Sequence, residues 1–171
     1  VHIVNATCPH VGKVQGIIKR YALQGYHIVI VGEKDHAEVI GLLGYAQGKG
    51  FVVNSPEELA SLPPMDKVCL VAQTTQDRNH FQTVAEAVQS KFLGAEVFNT
   101  ICESTHRRQD EVLNLARKVE AMVVVGGKES GNTRRLVKIS ERAGVPTFHV
   151  ETEKDLDLGA LLVFHREKGA K

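Results

Sequence analysis

Cys8 stands next to Pro9 where an apolar run gives way to a helical pattern, in "NATCPHVGKV". A proline suits the first position of a helix, so the cysteine falls near the N-cap. There the helix dipole favours the thiolate, the form that metals and redox reactions use. The other reading of Cys8 is a small, unreactive apolar residue. Cys102, in "NTICEST", occupies an equivalent strand-to-helix turn, whereas Cys69, inside "VCLVA", reads as a buried structural thiol. His36 and Glu38 flank one residue in a loop after Gly32 and read either as chemistry-bearing residues or as solvated surface. Thr74 follows another apolar run and offers a hydroxyl, or else caps the next helix in competition with Asp77. In "GGKESGNT", Ser130, Gly131 and Asn132 form a turn of small residues whose free N–H groups could cradle a phosphate. That turn matches neither GxxxxGK[ST] nor a full GxGxxG. The other histidines (2, 10, 27, 80, 106, 149 and 165) show no metal-ligand spacing and read as structural.

These residues must be held by elements, and the pattern of the chain indicates which. Apolar runs at 1–6, 27–32, 51–54, 67–72, 95–100, 121–126, 146–150 and 160–165 read as strands. Their near-continuous Val and Ile content predicts parallel strands covered on both faces. Between them, residues 11–24, 80–92, 107–119 and 133–143 carry apolar side chains at helical spacing. Strands alternating with helices predict an α/β fold of two tandem parallel βαβ units, 1–98 and 99–171. In open parallel sheets, ligands bind beyond the carboxyl ends of the strands. Cys8, Cys102, His36–Glu38, Thr74 and the Ser130 turn all fall at such ends.

Bulk properties narrow the partners. The chain has 171 residues, 43% hydrophobic and 24% charged, as in an ordinary globular protein. A net charge of +1 makes no electrostatic case for nucleic acid or an anionic membrane. No apolar run approaches the roughly 20 residues that span a bilayer. Three widely spaced cysteines argue against a disulfide framework, so a reducing cytoplasm is expected. Both ends read as abrupt, the pattern of a piece of something longer.

Five stretches in order, "NATCPHVGKV", "GEKDHAEVIGLLGY", "VAQTT", "NTICESTHRRQ" and "VVVGGKESGNTRRL", resemble the LytB family of iron–sulfur hydroxymethylbutenyl diphosphate reductases. The resemblance covers nearly all of residues 1–158. It implies one part of a three-unit, trefoil-like α/β enzyme around a [4Fe–4S] cluster. That family makes isopentenyl and dimethylallyl diphosphates by reductive dehydroxylation, the last step of the methylerythritol phosphate route to isoprenoids. The resemblance assigns Cys8 and Cys102 as cluster ligands, Glu38 and Thr74 to proton delivery, and His36, Thr74, Ser130, Gly131 and Asn132 to the substrate. It implies ferredoxin or flavodoxin as electron donor. The family's third cysteine and two histidines belong to an N-terminal unit with no counterpart in this sequence, and a C-terminal serine segment is replaced by "LLVFHREKGAK". The chain is therefore expected to be a fragment that works with a missing N-terminal unit. A diphosphate-binding α/β module without redox activity is the competing expectation.

Overall fold

In a computed structural model, residue 2, residues 4–159 and residue 161 are described. The chain divides into two compact units, Val1–Cys102 and Glu103–Lys171.

The first unit contains helix α1 (Pro9–Leu23), strand β1 (His27–Val31), α2 (Ala37–Leu43), β2 (Gly50–Val53), β3 (Val68–Ala72), α3 (Arg78–Lys91) and β4 (Glu96–Phe98). All four strands are parallel, in the order β2-β1-β3-β4. Side chains alternate across a strand, so each apolar run feeds two cores. Val29, Val31, Leu70 and Ala72 pack on one face with Phe81, Val84 and Val88 of α3. Ile28, Ile30, Cys69 and Val71 pack on the other with Val14, Ile18 and Ala22 of α1 and Val39 and Leu42 of α2. Burying one such Ile, Leu or Val side chain contributes about 1.5–3 kcal/mol, which makes the doubly covered sheet a rigid platform.

The second unit contains α4 (Glu103–Ala116), β5 (Met122–Val125), α5 (Gly131–Arg142) and β6 (Thr147–Val150). Its two strands are parallel and pair Met122 with Thr147 through Val125 with Val150. Met122 and Val124 are buried, while Val123 and Val125 face outward.

Four features differ from the sequence-based expectations. The run at 1–6 forms no strand at its described residues, and Val4 is 86% exposed. Apolar composition alone does not make a strand, because a strand needs a neighbour for its N–H and C=O groups, and none pairs with these residues among those described. Residues 36–38 are not loop. They open the short helix α2, whose Val39 and Leu42 are fully buried at i, i+3 spacing. The unit boundary falls after Cys102 rather than after residue 98, since Ile101 is buried in the first unit's core and the Cys102 N–H donates to the Thr74 carbonyl oxygen at 2.8 Å. Of the expected strand at 160–165 only Leu161 is described, and it is helical; the rest lies outside the described residues.

Candidate functional site

Four parallel strands aim their carboxyl ends at one edge of the first unit's sheet, and the loops leaving β1, β3 and β4 therefore rise side by side. Helix α1 reaches β1 through the short turn 24–26 and runs back against it. Fifteen residues of helix span about 22 Å, longer than a five-residue strand, so the start of α1 returns to that same edge. Cys8 is the N-cap residue of α1, exposed, with Pro9 behind it and no side-chain capping bond. A pocket of about 250 Å³ lies between α1 and the end of β4, lined by His10, Lys13, Asn99, Thr100 and Ile101 among others. The segments carrying Cys8 and Cys102 thus flank a single recess. Both thiols are free, Cys8 exposed and Cys102 half-buried.

Beside Cys102, whose N–H donates to the Thr74 carbonyl oxygen, sits a tight polar cluster. The backbone N–H of Thr74 donates to Glu38 Oε1 at 2.7 Å and its hydroxyl donates to Oε2 at 2.9 Å. Glu38 is brought there by the first turn of α2, where carboxylates are favoured by the helix dipole. His36 caps that helix, with Nδ1 accepting from the Glu38 N–H at 3.2 Å. The bond leaves the ring proton to Nε2, which is then a donor available to an anionic or hydroxylic ligand. Thr74 does not cap α3. Asp77 does, accepting from the His80 N–H at 2.7 Å, so the Thr74 hydroxyl is free for Glu38.

Two neighbours that the sequence reading did not single out hold the loops in place. Gln73 is fully buried, and its Oε1 accepts from the Glu33 N–H at 3.1 Å, tying the exit of β1 to the exit of β3. Thr100 bonds the backbone of Ala72 in both directions. The signal for Gln73 was present, since an amide immediately after a five-residue buried strand has to find partners inside the fold. Gly32 completes this packing: a Cβ there would stand 2.8 Å from Val39 Cγ2 and 3.0 Å from Gln73 Oε1. Gly32→Ala is expected to cost about 1–3 kcal/mol through overpacking, read as a lower urea midpoint. An unchanged midpoint would show that Val39 and Gln73 can move aside freely.

In the second unit, Ser130 caps α5, its Oγ accepting from the Thr133 N–H at 3.3 Å. Gly131 opens the helix and Asn132 follows, with its Oδ1 enclosed and without a hydrogen-bond partner among the described residues. The turn before them is set from β6. His149 Nε2 donates to the Gly126 carbonyl oxygen at 2.9 Å, and Glu151 Oε1 accepts from the Lys128 N–H at 2.8 Å. Gly126 has to be glycine, because a Cβ would lie 2.6 Å from Thr133 Oγ1.

Cys69 is fully buried in β3, and burial, helped by the Glu96 carboxylate, pushes its thiol up to about 12. It stays protonated at neutral pH and is a packing residue. That leaves two thiols suited to metal. Among the described residues no group of three His, Cys, Asp or Glu is placed to hold a metal ion. The donors therefore fit two corners of an iron–sulfur cluster and not a whole ligand set. No helix among the described residues is long and apolar enough to cross a membrane.

A parallel α/β sheet with thiols, a carboxylate–hydroxyl pair and an imidazole on its carboxyl edge defines a class of ligand-binding, chemistry-bearing folds. Residues 1–167 match the family model of the LytB protein, and the chain belongs to that family. It is 48% identical over 160 residues to the 4-hydroxy-3-methylbut-2-enyl diphosphate reductase of Geobacter sulfurreducens, covering 92% of this chain and 56% of that protein. It is 44% identical over 158 residues to the reductase of the same name from Thermoanaerobacter sp. strain X514, covering 92% of this chain and 55% of the relative. The solved E-1-hydroxy-2-methyl-but-2-enyl-4-diphosphate reductase of Plasmodium falciparum is similar with a TM-score of 0.88 and 30% identity, over 93% of this chain and 51% of that one. The chain spans slightly more than half the length of these relatives.

Proposed function

We propose that these residues are the part of a hydroxymethylbutenyl diphosphate reductase that carries the proton-delivery pair, two cluster thiols and a share of the diphosphate site. The observation that carries the reading is the Glu38–Thr74 pair, doubly bonded at 2.7 and 2.9 Å and joined through the Thr74 carbonyl to the Cys102 N–H. A carboxyl group next to a hydroxyl can pass a proton outward through it, as general acid catalysis at a leaving oxygen requires. The net reaction takes two electrons and two protons. The allylic C–O bond breaks, the oxygen departs as water with one of the protons, and the other proton is added at carbon to give the two isomeric diphosphates.

Cys8 and Cys102 would hold a [4Fe–4S] cluster together with a third thiolate, and that cluster, when bound, supplies the electrons. The chain's own residues have the other tasks. Glu38 holds the proton and Thr74 relays it. His36 Nε2–H, the Ser130 hydroxyl, the Gly131 N–H and Asn132 are the groups we assign to the diphosphate, all of them donors or amides that can satisfy an anion. The start of α5 adds its dipole to that grip. The electrons come from a small low-potential carrier of the ferredoxin or flavodoxin class.

The experiment joins these residues to an N-terminal unit that supplies the third thiolate, loads that protein anaerobically with iron and sulfide, and follows electron paramagnetic resonance and turnover of hydroxymethylbutenyl diphosphate with reduced flavodoxin. A four-iron signal and formation of both isomers are the expected results. Diphosphate binding with neither signal nor product would replace this reading with a binding module that does no redox chemistry.

A further inference from the structure

The ladder between β3 and β4 ends at Val71 and Phe98. One residue further along β3, Ala72 still turns an N–H and a C=O toward the β4 side. The Thr100 hydroxyl meets both, accepting from the Ala72 N–H at 2.8 Å and donating to the Ala72 carbonyl oxygen at 2.6 Å. A single side chain thus clasps the end of the ladder. Just before and after it, the chain is turned by the Asn99 side chain, whose Oδ1 accepts from the Ile101 N–H at 3.2 Å, and anchored by Ile101, which is buried. The next residue is Cys102, bonded through its N–H to the Thr74 carbonyl. Thr74 in turn holds both oxygens of Glu38.

The thiol segment and the proton-delivering segment are therefore joined at two points two residues apart on each side, Ala72 with Thr100 and Thr74 with Cys102. The second joint is one hydrogen bond between residues beyond the strand ends. The first is a two-way bond at the end of a rigid sheet, so it sets where the second falls. We propose that Thr100 is a positioning residue whose hydroxyl fixes the spacing between the Cys102 thiol and the Glu38–Thr74 pair. The catalytic part of this proposal rests on the reductase reading. The chemistry demands threonine or serine, because only a hydroxyl donates and accepts at once from one atom on so short a stem. Valine has the same shape but would take the Thr100 hydroxyl away from both groups of Ala72.

The test compares wild type, Thr100→Val and Thr100→Ser in the iron-loaded protein that includes the N-terminal unit with the third thiolate. For Thr100→Val, amide exchange at Cys102 is expected to quicken about tenfold as the joint loosens. Its kcat is expected to fall between about ten- and a hundredfold, with KM for hydroxymethylbutenyl diphosphate within about twofold, since misplacement near 1 Å has that effect on turnover. The g-values of the paramagnetic signal should shift as well. Thr100→Ser should restore all three. A Thr100→Val protein with wild-type exchange at Cys102 overturns the proposal, and so does one whose only change is a lower melting temperature, or one that serine fails to rescue. If wild type itself takes up no iron and sulfide and makes no product, the reductase reading fails, and with it the catalytic role. The exchange comparison would then still decide whether Thr100 sets the register of Cys102.

Discussion

Cys8→Ser is expected to abolish the iron–sulfur signal and reductase turnover while leaving diphosphate affinity within about threefold of wild type. Iron–sulfur centres are held by thiolates, and a serine hydroxyl remains protonated at neutral pH and is a harder ligand. The substitution does not harm the fold. Cys8 is exposed at the N-cap of α1 and its side chain makes no capping bond. Serine is one of the best N-cap residues, so the melting temperature should hold or rise. That separation gives the experiment its force, since loss of signal with an unchanged melt and unchanged calorimetric binding cannot be ascribed to unfolding. Cys69→Ala makes the contrasting control. It removes a buried thiol that burial holds protonated, so it should leave the paramagnetic signal in place. A Cys8→Ser protein that keeps a four-iron signal would show that the thiol at the head of α1 is no ligand, and the proposed function would lose one of its two metal contacts.

How far the sequence could be read depended on whether the signal was local. The central strands β1 and β3 were legible because each is an apolar run buried on both faces, a composition a doubly covered sheet produces. The expected strand at 1–6 has the same composition but no neighbour among the described residues, and pairing is not a property of one segment. Helix α2 was missed because it is seven residues long and capped by a histidine, which is not among the usual N-cap residues. Its Val39 and Leu42 were nonetheless at helical spacing. His36, Glu38, Thr74 and Cys102 could be singled out because each follows an apolar run at a strand end, and Cys8 because it follows an apolar run and precedes a helix-starting proline. What could not be read is how they bond. That Glu38 turns both oxygens to Thr74, that Asp77 relieves Thr74 of capping, and that Thr100 completes the β3 ladder all depend on residues 28 to 36 positions apart or on competition within one turn. Such pairings are decided by the packed sheet, after the local pattern has done its part.

Glu38→Gln is expected to lower kcat on the order of 10²–10⁴-fold with KM for the diphosphate changed by less than about threefold. The amide has the shape of the carboxyl group. Its oxygen can still accept from the Thr74 N–H, where the wild-type distance is 2.7 Å, and its NH₂ can donate to the Thr74 hydroxyl, which rotates to accept. The cluster of bonds therefore survives, and stability measured by thermal melting should stay within about 1 kcal/mol of wild type. What does not survive is a group that takes up and gives away a proton, or a hydroxyl poised to pass one on. His36 keeps its cap, because its Nδ1 bonds the backbone of residue 38 and not the side chain. Thr74→Val separates the two roles further. It leaves Glu38 with the backbone N–H alone, keeps a titrating carboxyl group, and removes the relay, so it should depress kcat while changing the pH profile less than Glu38→Gln does. If both variants turned over like wild type, the proton would have to arrive by another route, and the pair at 38 and 74 would be a structural clasp joining α2 to the end of β3.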